Sequence, residues 1–118
     1  MRNKYLSFIQ NKETRPFDSA EEAWFWYCRC EQIGYPKPHN TQNNIGRPCE
    51  TSDIFIALKN LLKKHILRAA HIKVLTTYGY TQTPPHPHFG DDSKICALWK
   101  EALDFLGLSL QKKGIVAA

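Results

Sequence analysis

Four stretches of the chain repeat apolar and polar positions with a helical period, and each is bounded by residues that start or stop helices. The first opens at Asp18-Ser19-Ala20-Glu21-Glu22. Ser19 and Glu22 have capping-box spacing and both glutamates complement the positive helix end, so a helix is expected from Ala20 to Gln32, stopped by Gly34 and Pro36. It carries Ala23, Trp24, Trp26, Tyr27, Cys28 and Cys30, with Phe25 on a further side. An apolar arc that wide suits a central helix packed on more than one face. Adjacent aromatics next to Arg29 could stack on bases, but four of them cannot all face water without a large hydration penalty, so they read as core. Trp99 is their expected partner.

The second stretch opens at Thr51-Ser52-Asp53 and places Ile54, Phe55, Leu58, Leu61, Leu62 and His65 at helical spacing, with Lys59, Asn60, Lys63 and Lys64 opposite. An irregular step near Ile66-Leu67-Arg68 leads to a third helix with His71, Val74, Leu75 and Tyr78 on one face and Gly79 as its stop. The short separation makes 53–78 a possible helix-turn-helix-like pair or helical corner in which the apolar faces meet. The fourth helix begins at Asp91-Asp92-Ser93, buries Ile95, Leu98, Trp99, Ala102, Leu103 and Leu106, and is expected to end at Gly107.

Between these helices lie two Pro/Asn-rich segments, 34–51 and 80–92, the second stiffened by Pro84-Pro85-His86-Pro87-His88. The expectation is an all-α, compact single domain spanning 1–118, with an N-terminal extension at 1–17, a helical core at 18–107 and a C-terminal tail at 108–118. The tail pattern fits a short helix, a lone strand or a pinned extension.

Composition narrows the class without naming a reaction. At 118 residues, 42% of them hydrophobic and 23% charged, the chain has the size and make-up of one globular domain. No signal-like run and no membrane-spanning run is visible, so a cytoplasmic protein with reduced, structural thiols is expected and a membrane is not a partner. There is no Gly-rich phosphate loop, nucleophile elbow or His-Glu-x-x-His pattern, and the acidic pairs at 21–22 and 91–92 are explained by helix capping. No enzyme activity and no cofactor are expected. Zinc is also disfavoured: Cys28 and Cys30 would diverge by roughly 200° on a helix. Cys49 and Cys96 have no nearby cysteine partner, which leaves only a site assembled in space with His39, His86 or His88.

Charge is the remaining signal. Sixteen basic against eleven acidic residues give +5, and segment 47–90 sets Arg47, Lys59, Lys63, Lys64, Arg68 and Lys73 against Glu50 and Asp53 alone. The leading expectation is a small nucleic-acid-binding or regulatory protein. Lys59, Lys63, Lys64, Arg68 and Lys73 would lie on phosphates, and Thr76 and Thr77 nearest the bases. A homodimer would suit such a small motif. The competing class is a non-catalytic protein-protein adaptor, in which the lysines merely solvate a helix face and complement its dipole.

Overall fold

The computed structural model describes residues 15–32 and 49–117. Among these residues four helices form, α1 Ala20–Gln32, α2 Thr51–Lys63, α3 Ala69–Thr81 and α4 Ser93–Lys112, with a short 3-10 turn at Pro87–Phe89. The all-α expectation holds, and among the described residues the sole extended pairing is an isolated parallel bridge between Phe17 and Val116.

Helix α1 starts as the capping pattern indicates. Ser19 Oγ accepts from the Glu22 amide at 3.1 Å, and the Glu22 carboxylate accepts from the Asp18 amide at 2.8 Å. Its wide apolar arc makes it one of two central helices: α1 and α4 each pack on all the other helices, with α2 along one flank and α3 along the other. The consecutive helices α2 and α3 make almost no direct contact. This corrects the expectation that their apolar faces meet in a corner. Each face buries against the larger apolar surface of the central pair, within one core that includes Ile54, Ala57, Leu58, Leu61, Val74, Leu75, Trp24 and Leu106. The connector crosses between flanks by a tight reversal: His65 takes a left-handed φ of 64°, and the Leu61 carbonyl accepts from the Ile66 and Leu67 amides at 2.9 and 3.1 Å. Buried Leu67 pins it.

Two glycines behave differently from their sequence reading. α3 runs past Gly79 to Thr81, and α4 runs past Gly107 to Lys112. Both glycines are buried inside their helices, where a neighbouring helix comes close. A Cβ on Gly79 would lie 2.5 Å from Cys28 Sγ and 2.6 Å from Trp24 Nε1; one on Gly107 would lie 3.2 Å from the Ala20 Cβ. They permit close approach of helices rather than ending them.

The segments flanking 18–107 also build core. Phe17 is fully buried, its amide donates to the Ile115 carbonyl at 2.9 Å, and its own carbonyl accepts from Ala117 at 2.9 Å. Leu110, Ile115 and Val116 are buried beside it in the same cluster. Of the expected extension at 1–17, residues 1–14 lie outside the described residues, as do residues 34–48 of the first long segment. The second segment is organised by Asp91. One carboxylate oxygen accepts from Tyr78 Oη at 2.8 Å and the other from the His86 amide at 2.8 Å.

The aromatic residues of α1 spread over several partners. Phe25 and Tyr78 meet Trp99 at 5.7 and 6.1 Å between ring centroids, Trp24 stacks on Tyr27 at 5.2 Å, and Trp26 meets Phe17 at 5.3 Å. Trp99 is therefore the partner of Phe25 and not of the tryptophans.

Candidate functional site

Turning Ile54, Ala57, Leu58 and Leu61 inward leaves Phe55, Ile56, Lys59, Asn60 and Lys63 on the outer face of α2. Lys59 Nζ sits 5.6 Å over the Phe55 ring. A shallow depression of about 620 Å³ lies along this face between Ile56, Lys59 and Lys63. Beyond it the C-terminal ends of α2 and α4 converge on a cleft of about 660 Å³. From the α2 side it is lined by Lys64, His65 and Ile66, and from the α4 side by Phe105, Leu108, Ser109, Lys112 and Lys113. Asn60 borders both hollows, so they form one continuous surface. Lys59, Lys63, Lys64, Lys112 and Lys113 line it, and among the described residues neither hollow has a carboxylate in its lining.

Part of this charge has a local cause. Lys63 and Lys112 lie in the last turns of α2 and α4, where a cation offsets the negative end of the helix dipole. Dipole compensation does not account for the aliphatic side chains between them. Ile56, Ile66 and Leu108 are 46%, 37% and 59% exposed, and all three border the two hollows.

The residues proposed from sequence fall into two groups. Lys59, Lys63 and Lys64 are exposed on the α2 surface. Lys73, Thr76 and Thr77 are exposed on α3, along the opposite flank of the central pair. The Thr76 hydroxyl is already engaged, donating to the Ile72 carbonyl at 2.8 Å. Arg68 stands between the groups at the start of α3, where its amide donates to His71 Nδ1 at 3.0 Å. With Nδ1 accepting, His71 Nε2 carries the proton and donates to Glu101 Oε1 at 2.8 Å, so this buried ring is fully engaged in joining α3 to α4. Lys112, Lys113 and His65 belong to the surface and were missed by the sequence reading. Lys112 lies 48 positions after Lys64, and only the convergence of two helix ends brings them together.

Elsewhere several reactive side chains are engaged in structure. Burial, with Glu31 nearby, pushes the Cys28 thiol up to about 12, leaving little thiolate to act as a nucleophile at neutral pH. Burial, with a smaller push from Glu31, likewise raises the Tyr27 phenol to about 12. The backbone amide of His86 and then the Tyr78 hydroxyl hold Asp91 below the usual carboxylate range, and the same hydrogen bond raises the Tyr78 phenol. Among the described residues no three His, Cys, Asp or Glu side chains are grouped to hold a metal. The rings of His86 and His88 stack at 4.8 Å, but His86 Nδ1 accepts from the His88 amide at 3.1 Å; His39 lies outside the described residues. No described helix is long and apolar enough to cross a membrane. Comparison with protein-family models, curated proteins and solved structures found no match.

Proposed function

We propose that this chain is a non-catalytic protein-interaction module that docks partners on the surface formed by α2 and the C-terminal end of α4. The observation that carries this reading is the mixture in one cleft: exposed Ile66 and Leu108 lie among Lys64, Lys112 and Lys113, with no carboxylate among the described lining residues. Covering an exposed aliphatic side chain is favourable by about 1.5–3 kcal/mol when burial is complete, and a lysine rim selects an acidic partner. The matching ligand is a segment with an apolar stripe and acidic flanks, the helix-in-groove mode of recognition.

A second reading, nucleic-acid binding, is favoured by the same five lysines, which would neutralise phosphates. It gains nothing from exposed Ile and Leu, and the separation of α2 from α3 divides the phosphate-contacting lysines from the base-contacting threonines. One titration series discriminates the two. Fluorescence anisotropy is read with an acidic amphipathic helical peptide, duplex DNA, single-stranded DNA and RNA, at low and moderate salt, on the wild type and on Leu108→Ser. Peptide binding that is weakened by Leu108→Ser and changes modestly with salt supports docking. Nucleic-acid binding that falls steeply with salt and ignores Leu108→Ser overturns it in favour of the second reading.

A further inference from the structure

Leu108 has the highest exposure of any large apolar side chain among the described residues, at 59%, and it stands between two hollows of opposite charge. At about 100° per residue, Asp104, Gly107 and Gln111 fall to one side of it on the α4 surface, and Phe105, Ser109 and Lys112 to the other. The first side borders a hollow of about 500 Å³ closed by the start of α1, whose charged lining residues are Asp18 and Asp104. The second side is the cleft whose lining carries Lys64, Lys112 and Lys113 beside His65. Leu108 lines both.

An apolar centre with acid on one side and base on the other is self-complementary under a two-fold rotation. Place the axis in the contact plane, through Leu108 and perpendicular to the line joining the hollows. Each acidic hollow then faces the other copy's basic cleft, and the two Leu108 side chains meet at the centre. We propose that the partner of this surface is a second copy of the chain, joined by an isologous contact of α4 on α4. This rests on the docking reading and specifies its occupant. A foreign acidic segment would satisfy the basic half alone, whereas a second copy satisfies both halves at once. Among the described residues the acidic side is held only weakly: the ion pair of Asp104 with Lys100 is 4.0 Å long between exposed groups one helical turn apart, a geometry that contributes little.

Sedimentation velocity over a concentration series tests the contact. The wild type is expected to shift from monomer to dimer as concentration rises, and Leu108→Asp to weaken that step by about thirtyfold. Asp104→Lys and Lys112→Glu each set like charges against each other and are each expected to weaken self-association by about tenfold. Mixed in equal amounts, these two variants present opposite charges again and form a heterodimer. Circular dichroism and urea midpoints confirm that all three variants are folded.

A wild type that stays monomeric at every concentration overturns the proposal, as does a dimer indifferent to all three substitutions or singly charged variants that do not recover when mixed. The acidic peptide separates this failure from that of the broader reading. A monomer that binds it in a Leu108-dependent way removes the second copy and keeps the docking surface. A monomer that ignores it removes both.

Discussion

The two flanks of the central helix pair are built by different rules. On the α3 side, contacts are specific and polar groups cross between helices. The Trp24 indole donates to the Leu75 carbonyl at 2.8 Å, Gln32 donates to the Tyr80 carbonyl at 3.0 Å, Gln82 donates to the Phe25 carbonyl at 3.0 Å, and His71 reaches Glu101. On the α2 side no side-chain hydrogen bond from Thr51–Lys63 reaches another of the described helices; α2 is held by its apolar stripe and by the turn that follows it. One flank defines the fold through partners that only one arrangement satisfies, and the other holds by non-directional burial while keeping an outward face of lysine and aliphatic groups. Substitutions on the two flanks should therefore differ in kind: stability should respond on the α3 side, and binding on the α2 side.

The largest expected effect is at Gly79. Gly79→Ala drives a methyl group into Cys28 and Trp24, and the Trp24 atom it meets is the nitrogen that donates to Leu75. Overpacking together with loss of that hydrogen bond should destabilise by about 2–4 kcal/mol, read from the urea midpoint. Gly107→Ala is the control. Its new methyl meets only the Ala20 methyl at 3.2 Å, a small helix shift relieves it, and alanine's helix preference offsets the rest, so stability should stay within about 1 kcal/mol of wild type. Equal effects at the two sites would show that the α1–α3 contact is no more exacting than the α1–α4 contact.

His71→Ala should come next, at about 2–3 kcal/mol, because it removes a buried ring and leaves the Arg68 amide without its acceptor. His71→Gln keeps an acceptor and should recover part of the loss. If both variants unfold at the wild-type urea midpoint, the junction of α3 with α4 is not a fixed point of the fold.

These residues also mark what a linear reading can and cannot see. Helix positions and inward faces were legible because local periodicity and caps set them: Ser19 and Glu22 start α1, and Ile54, Leu58 and Leu61 face inward from α2. Gly79 and Gly107 read as stops because glycine disfavours helices, while the reason for their presence is a side chain on another helix. Phe17 is joined to Ile115 and Ala117 by one backbone hydrogen bond each across nearly the whole chain, so neither Phe17 nor Ile115 could be assigned to the core from its neighbours. The candidate surface was half legible. Lys59, Lys63 and Lys64 share a helix face, but Lys112 and Lys113 join them through tertiary convergence, and Lys73, Thr76 and Thr77 leave them because α3 crosses to the other flank.

A smaller and more local effect is expected on acidification. Asp91 is held below the usual carboxylate range by the His86 amide and the Tyr78 hydroxyl, so its folded value lies under its unfolded one. Its contribution is present above the unfolded value, about pH 4, and is lost as pH falls through the folded value. The His86 amide resonance should titrate in that acid range while amides of α2 do not follow it. Asp91→Asn should abolish the titration. A His86 amide unmoved to pH 2 would mean that this carboxylate does not tie the 82–92 segment to α3.

The smallest effect on folding is expected on the α2 flank, from replacing Lys59, Lys63 and Lys64 together by Ala. All three are exposed, none forms an ion pair with a described residue, and their contacts are the Phe55 ring and water-facing helix surface. Removing Lys63 and Lys64 gives up a few tenths of a kcal/mol each of dipole compensation at the α2 end, and the two alanines inside the helix, at 59 and 63, return a similar amount in helix propensity. The net change should stay within about 0.5 kcal/mol in thermal and urea unfolding. Raising the salt should move that net change toward stabilisation, because the dipole loss is screened and the propensity gain is not. Peptide anisotropy on the same variant should meanwhile show weaker binding, since the lysine rim is the selective element of the surface. If instead the triple variant loses more than about 1 kcal/mol while binding is unchanged, the lysines are part of what holds α2 in place, and the division between a structural flank and a binding flank does not hold.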